Sequence, residues 1–394
     1  MRRWLPAAAA AGLVVAGIVL LPPPSRPVDA RVVGLQYAAS AVRGEGPRAD
    51  LAQDYLGARA LRHGDDAYPV LGPKLKTIGV HWNVQQRSTH PPTAFLLALP
   101  ISWLSWPLAE QVWAILMVVA ILAAVWLVTA SGRGAILGAA LVLLWPPAAW
   151  SVQQLTPIWL LAVALAFRWR GRPTRAGLVI GLAALTKITP LVLVVPFALK
   201  RQWKAVYAAT GVVAAAVAAL LAWQPDALTA YLDEGRRASE AQLHRADDAG
   251  AIVAASHAAG RPGVVPVAVL MVGIAAAGLL WRERSGSWWI WPWLSVAVLP
   301  IAWIYSVLPL LPGLLVAMRF HAARGWAWAA MVPPAVVVPF GSAFGAAGIA
   351  VSTCLAGVAA CAVAATQRAG SPVAGRAPSF RLGASAASAD AKGP

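Results

Sequence analysis

The sequence predicts an all-α protein, a polytopic integral membrane bundle of about 11 to 13 spanning helices. Of its 394 residues, 59% are hydrophobic and only 12% are charged. That composition leaves too little polar surface to cover a soluble domain of this length. Apolar stretches close to the roughly 20 residues that a spanning helix needs recur along most of the chain. Helices suit this setting because they satisfy their own backbone hydrogen bonds in lipid.

Basic residues stand between the apolar segments, which predicts a membrane orientation rather than a nucleic-acid surface. The formal net charge is +17, but Lys and Arg occur in short groups such as Arg168–Arg175 and Lys200–Lys204. Loops on the cytoplasmic side carry such groups. With Arg2 and Arg3 inside, the first polar stretch lies outside. We therefore expect a multi-pass protein of the plasma membrane, in contact with membrane lipid and without a nucleic-acid partner.

Twelve of the fifteen Asp and Glu residues lie in two polar stretches, residues 22–92 and 224–262. A protein that only spans lipid can connect its helices by short turns, so two long acidic loops predict binding or catalysis on the outer side. We expect short helices in both loops. The transmembrane domain is expected to comprise residues 1–366. Residues 367–394 are rich in Ala, Ser, Gly and Arg and are expected to form a disordered cytoplasmic tail.

The spans follow from the apolar runs. Two segments are expected between Pro92 and Ser131, joined near Trp106–Gln111, and one of them is expected to be short, tilted or interfacial. A later stretch is divided into two half-length helices, Ala176–Thr186 and Pro190–Leu199. Lys187 then lies near the outer face in a pocket, because a lysine facing lipid is costly. The remaining segments are Ala205–Trp223, Val264–Leu280, Trp288–Trp303, Ser306–Met318, Trp326–Phe340 and Ala346–Ala365.

Several short motifs follow one another along roughly half of the chain. They are Asp50–Tyr55 (DLAQDY), Gly64–Pro69 (GDDAYP), His90–Pro92 (HPP), Gln153–Thr156 (QQLT) and Gly177–Pro190 (GLVIGLAALTKITP). In this order they resemble the polyprenol-phosphate-dependent glycosyltransferases of the GT-C superfamily. The similarity is greatest to the bacterial family 87 group, which includes mannosyl- and arabinosyltransferases of actinobacterial envelopes.

The resemblance implies an inverting transfer of mannose or arabinose from a polyprenyl-phosphate sugar to an envelope glycan or glycolipid on the outer face. No cofactor is implied, since the lipid-linked sugar is a substrate. By position in the motif, Asp50 is the general base that takes the proton of the acceptor hydroxyl. Asp54, one helical turn later on the same face, is the alternative base. The competing interpretation of either residue is a solvated charge or a helix cap.

Other residues of these motifs are candidates for binding the donor phosphate or sugar. Lys187 suits a phosphate because an ammonium needs no bidentate geometry; its alternative is an interfacial lysine at a helix break. The further candidates are Tyr68, His90, Gln154 and Thr156, and polar side chains of this kind also form hydrogen bonds between helices.

The chain departs from the family pattern at one place. Many relatives carry Ser-Trp-x-His near the start of a late apolar segment, where this chain has Ala302–Tyr305. Tyr305 can donate a hydrogen bond to a phosphate but cannot replace an imidazolium. Histidines of the outer loops are candidates to take that role: His81, His90, His244 and His257.

Charged groups outside these motifs predict neither a metal nor a nucleotide. The acid pairs Asp65–Asp66 and Asp247–Asp248 have no companion ligands at metal-binding spacing, and no Gly-rich phosphate loop is present. We therefore expect no metal. Arginines of the second polar stretch (Arg236, Arg237 and Arg245) either contact an acceptor or belong to a salt-bridged surface helix.

Two other classes of function remain open at this point. A transporter or flippase of a lipid phosphate or glycolipid would use the same bundle, with Lys187 at a broken helix as its substrate site. The sequence shows no internal repeat, and its acids gather on one face rather than at mid-membrane. A catalytically lapsed scaffold is the third alternative, because the family's histidine is missing.

Overall fold

The computed structural model describes residues 43, 49–80, 87–129, 136–138, 140–141, 145, 147–148, 151–242, 288–297, 304–337, 352–353 and 355–363. Within these ranges the regular structure is helical and contains no strand, which confirms the predicted all-α class. The predicted segment Val264–Leu280 and the predicted tail 367–394 lie outside the described residues.

The first polar stretch folds into helices α1 (Ala49–His63) and α2 (Leu71–Lys76). Although α1 carries several charged residues, Leu51, Tyr55 and Leu61 are almost completely buried. The Tyr55 hydroxyl donates a hydrogen bond of 2.8 Å to the carbonyl of Leu104. Residues 51–58 are buried without interruption, so helix α1 lies inside the body of the protein on all of its sides.

The next segment begins with helix α3 (Pro92–Ala98), continues as a 3-10 helix and ends at Trp103. Helix α4 then runs over Trp106–Thr129. The predicted joint at Trp106–Gln111 is wrong, because these residues form the first turns of α4. The amide of Ala109 donates to the carbonyl of Ser105 at 2.8 Å, and a proline at the second position of a helix costs no intrahelical hydrogen bond.

Helices α5 (Thr156–Arg168) and α6 (Pro173–Ala184) lead to the predicted break around Lys187. After the break, a 3-10 helix (Thr189–Val194) is followed by the short helix α7 (Val195–Leu199). The division into two half-length elements is thus confirmed. The first element begins and ends earlier than predicted, and most of the second is a 3-10 helix.

Helix α6 packs closely on helix α8 (Trp203–Trp223). A Cβ added at Gly177 would collide with the backbone of Ala205, and one at Gly181 would lie 2.8 Å from the carbonyl oxygen of Ala209. Small residues four apart permit such a backbone contact between helices. The two glycines of the Gly177–Pro190 motif therefore place the end of α6, and the break after it, against α8.

The remaining described elements come from the C-terminal half of the chain. They are α9 (Pro225–Gln242), α10 (Ile290–Ala297), a 3-10 helix (Ile304–Leu310), α11 (Leu311–Ala317) and α12 (His321–Val337). Helix α12 begins at His321, five residues before the predicted start, and residues 352–353 and 355–363 are also helical. Trp289, just before α10, packs on Phe167 of α5 with ring centroids 4.4 Å apart, which joins the two halves of the core.

Two described helices are long and apolar enough to cross a membrane. They are α4, with a mean hydropathy of 2.7, and α8, with a mean hydropathy of 2.1. Shorter apolar helical stretches accompany them at Pro92–Trp103, Thr156–Arg168, Thr189–Leu199 and Ser306–Ala317. The larger number of spans stays a prediction.

Candidate active site

Helix α1 carries two carboxylates on one face near its first turns. Asp50 and Asp54 are four residues apart, the spacing at which side chains of an α-helix are neighbours. Asp54 is only 1% exposed, whereas Asp50 is partly exposed. The two acids therefore differ in access to solvent although they belong to the same helical face.

Asp50 is held by two glutamine amides. Gln53, in the same helix, donates from Nε2 to Oδ1 of Asp50 at 3.2 Å. Gln154, which follows the 3-10 helix Ser151–Gln153, donates from Nε2 to the other carboxylate oxygen. The motif around Gln154 is thus brought to Asp50 across 104 positions of sequence, and the carboxylate is oriented from two directions.

Asp54 forms a buried pair with His90. Oδ1 of Asp54 lies 2.8 Å from Nδ1 of His90, and the side chains are 1% and 12% exposed. His90 directly precedes the Pro-Pro start of α3, which positions its backbone. The Tyr68 hydroxyl, itself buried, donates to the His90 carbonyl at 2.7 Å. The imidazole is therefore held at its side chain and at its backbone.

Burial and mutual attraction both change the acidity of this pair. Burial raises the pKa of the Asp54 carboxyl above its ordinary value of 3.8, although His90 acts in the opposite direction. Burial by itself would lower the pKa of the His90 imidazole, but attraction to Asp54 and their hydrogen bond hold that pKa above its ordinary 6.5. Asp50 raises the pKa of both groups and Lys187 lowers it. The pair therefore retains a proton more firmly than its free side chains would.

Lys187 enters the site from the break that follows α6. The break is tied to α3 by Thr93, whose hydroxyl donates to the carbonyl of Leu185 at 2.7 Å. Thr186 closes the end of α6 by donating from its hydroxyl to Ala183 at 2.7 Å. Lys187 is only partly exposed and interacts electrostatically with Asp50 and Asp54. A cation thus lies beside the two carboxylates of α1.

A cleft with an empty volume of about 270 Å³ opens between these elements. It is lined by His90, Gln154, Leu155, Thr156, Trp159, Thr186 and Lys187. Its walls combine a lysine, an imidazole and hydroxyl and amide groups with the apolar surface of Leu155 and Trp159. Such a lining can hold an anion next to a less polar group, with the Asp50 carboxylate close by.

Most of the residues singled out in the sequence converge at this cleft. His90, Gln154, Thr156 and Lys187 line it, and Gln154 joins Asp50 to its wall. Tyr68 lies behind His90 and is fully buried. Tyr305 belongs to the 3-10 helix Ile304–Leu310, but its side chain lies outside the described part of the structure.

Other predicted candidates fall elsewhere. His81, His244, His257 and Arg245 lie outside the described residues. Arg237 forms an ion pair with Glu234 in α9, at 3.9 Å and with i,i+3 spacing, in agreement with a salt-bridged surface helix.

Two supporting residues were not singled out from the sequence. Gln53 donates to Asp50 and accepts from the Thr89 amide at 3.4 Å, so it connects α1 to the His90 loop. Thr93 anchors the lysine break to α3. The signal for Gln53 was its position three residues after Asp50, within one helical turn. The sequence contains no comparable signal for Thr93, since its partner is a backbone carbonyl remote in sequence.

The part of the chain that the structure describes contains no group of three or more His, Cys, Asp or Glu side chains able to hold a metal ion. The absence of a metal from the reaction stays a prediction.

Comparison with known proteins gives one match. The family model described as glycosyltransferase family 87 matches residues 89–288, about half of the chain. The matched range contains His90, Gln154 and Lys187, and it begins after α1. No curated protein matches the chain, and no solved structure does. The match confirms the family resemblance of the motifs, and the chain therefore belongs to glycosyltransferase family 87, a family of membrane glycosyltransferases that act on a sugar donor and an acceptor.

Proposed function

We propose that the protein transfers mannose or arabinose from a polyprenyl-phosphate sugar to an envelope glycan or glycolipid. The reaction takes place on the outer face of the plasma membrane, in a multi-pass helical bundle. The observation that carries the proposal is the cleft in which Lys187 and His90 lie beside Asp50. Family membership supports the transfer of a sugar, and the cationic lining supports a donor activated by phosphate.

Asp50 is the general base of the proposed reaction. A base must reach the acceptor hydroxyl, and Asp50 is partly exposed, whereas Asp54 is buried and engaged with His90. The amides of Gln53 and Gln154 orient the Asp50 carboxylate, so it needs little reorganisation to receive the proton. The alternative assignment, Asp54 as base, would require the His90 pair to open first.

Lys187 and His90 receive the departing phosphate. As the acceptor oxygen attacks the anomeric carbon, the bond from that carbon to the phosphate oxygen breaks, and its electron pair leaves with the phosphate. The acceptor proton moves to Asp50. The ammonium of Lys187 balances the charge that develops on the phosphate. The Asp54–His90 pair retains a proton on or beside His90. This supports His90 in the role of the family histidine, whose position is occupied here by Tyr305.

The N-terminus of α5 adds further support for a phosphate at this place. Thr156 is the first residue of this 13-residue helix and lines the cleft. Pro157 has no N–H and the Ile158 amide donates to the Leu155 carbonyl at 3.1 Å, so α5 contributes the positive end of its dipole, which favours an anion. Leu155 and Trp159 provide apolar contacts beside it. The combination fits a phosphate joined to a sugar on one side and to an isoprenoid chain on the other.

The test is transfer of radiolabelled sugar by the purified protein. Polyprenyl-phosphate mannose and polyprenyl-phosphate arabinose are supplied separately, together with membrane glycolipid acceptors. We expect transfer from one of them, and that donor then identifies the sugar. Lys187→Met should raise the KM for the donor at least about tenfold, the loss expected for a charge-assisted contact to phosphate. Lys204→Met, at the exposed start of α8, is the matched control and should not change it.

Two outcomes would overturn the proposal. Failure of transfer from both donors, together with translocation of a lipid phosphate across reconstituted vesicles, would make the protein a transporter. Failure in both assays would favour a scaffold without catalytic activity.

A further inference from the structure

Helix α4 contains a single charged residue in an otherwise apolar sequence. Glu110 lies in the second turn of Trp106–Thr129 and is 0% exposed. A buried carboxylate in a helix of this hydropathy loses its hydration, which costs several kcal/mol unless specific contacts compensate it. A leucine or alanine at this position would fit the rest of α4. The carboxylate therefore needs an explanation in terms of its contacts.

Glu110 accepts a hydrogen bond from a glutamine of the active-site wall. Nε2 of Gln153 lies 2.6 Å from Oε1 of Glu110, and both side chains are buried. A hydrogen bond of this length is strong where water is excluded. Helix α4 is thereby joined to the 3-10 helix Ser151–Gln153, which lies immediately before Gln154.

The neighbouring residue, Gln154, donates to Asp50. The turn that carries both glutamines is closed by the backbone N–H of Gln154, which donates to the carbonyl of Ser151 at 2.9 Å. The Ser151 hydroxyl donates to the Ala148 carbonyl at 2.6 Å. In a 3-10 helix consecutive side chains point about 120° apart. Anchoring Gln153 on one side therefore fixes the direction in which Gln154 points on the other.

We infer that Glu110 is a positioning residue for the general base: it anchors Gln153, and thereby directs the Gln154 amide onto the Asp50 carboxylate. This inference rests on the proposed function, in which Asp50 is the base. Glu110 itself does not line the cleft, so it acts through the two glutamines. Removing the anchor leaves Lys187 and His90 in place but lets the turn that carries Gln154 rotate, and small misplacements of a reacting group cost large factors in rate.

The test separates turnover from substrate binding. Glu110→Leu removes the acceptor and should lower kcat about 10- to 100-fold, with a smaller change in the KM for the donor, since Lys187 and His90 keep their places while Gln154 moves. Glu110→Gln keeps an oxygen that can accept from Gln153 and should restore most of the lost turnover. Gln153→Leu should reproduce the loss, and the double variant should be no worse than either single one, since both act in one chain of contacts.

Two controls distinguish the possible failures. Ser295→Ala removes a buried hydroxyl and its hydrogen bond in α10, and shows how much turnover is lost when a buried polar contact away from the cleft is removed. Asp50→Asn is measured beside the Glu110 variants. If Asp50→Asn is inactive while Glu110→Leu and Gln153→Leu keep wild-type kcat, the positioning role is wrong and the base stands. If Asp50→Asn remains active, the proposed base is wrong, and the inference is overturned with it.

Discussion

The two acidic stretches look alike in sequence but differ in structure. In the first, helix α1 is buried on all sides over residues 51–58, and Asp50 and Asp54 contact partners from remote parts of the chain. In the second, helix α9 leaves Asp226 and Asp233 exposed. The number of acids is equal in the two stretches, but among the described residues only those of the first stretch lie at the cleft.

The difference shows that burial and partners, rather than acid content, identify the acids of a site. Glu234, the buried acid of α9, is paired with Arg237 of its own helix. The second stretch still contacts the first. Gln224, just before α9, donates to the carbonyl of Asp65 at 2.8 Å, and the ring of Tyr231 lies 6.2 Å from that of Tyr68. Its described part therefore packs against the first stretch.

The largest difference between the two stretches is expected when one acid is removed from each. Asp50→Asn keeps the shape of the side chain but cannot take a proton, and general-base catalysis is worth about 10²- to 10⁴-fold. We expect sugar transfer to fall by that factor. Asp226→Asn, in the exposed first turn of α9, should retain wild-type transfer in the same radiolabel assay. Comparable losses in both variants would show that the stretches do not differ in function.

A second comparison concerns stability. Asp54→Ala leaves His90 in a buried place without its partner, and breaking a buried pair costs about 3 kcal/mol. The unfolding free energy in detergent, followed by circular dichroism, should fall by that amount. Asp233→Ala, at an exposed position of α9, should stay within about 0.5 kcal/mol of wild type. Equal changes would mean that the Asp54–His90 contact adds nothing to stability.

The same pair predicts how stability depends on pH. Both pKa values are raised in the folded protein, so the folded state binds more protons than the unfolded chain, and stability falls as pH rises. The stabilisation that His90 contributes is fully present below about pH 6.5, the ordinary pKa of an imidazole. It is lost as the pH rises through the higher pKa of the folded state. The unfolding temperature should therefore decrease from about pH 6.5 upward. In His90→Gln this slope should be reduced, and an unchanged slope would assign it to other groups.

The smallest effect is expected in the second stretch itself. Glu234→Gln removes the ion pair with Arg237, whose side chain is 67% exposed. Because the arginine is solvated and the closest atoms are 3.9 Å apart, the pair should contribute about 0.5 kcal/mol or less although Glu234 itself is buried. We expect an equally small change in unfolding free energy and no change in transfer, measured in the assays above. A loss of transfer would instead place α9 in the active site.

The sequence predicted which motifs converge but not how their residues pair. The order of motifs indicated that Asp50, Gln154 and Lys187 belong to one site, and the structure brings them together. The Asp54–His90 pair could not be read from spacing, because it depends on the rotation of α1 against the start of α3. The start of α4 was predicted incorrectly. In the sequence, Trp106 and Pro107 are typical of a loop, but in the structure the Ser105 carbonyl accepts the first hydrogen bond of the helix. Glu110 was missed because one acid in an apolar run has no periodicity.

The glycine contacts between α6 and α8 have a mechanical consequence. With Gly177 against Ala205 and Gly181 against Ala209, the two backbones touch, and neither helix can slide or rotate without a collision. The pair must therefore move as one rigid body. Any adjustment that Lys187 makes when a substrate arrives or a product leaves is restricted to the short link between Ala184 and Thr189. Such an adjustment then needs torsion changes in only the four residues of this link and no shift of α6 against α8.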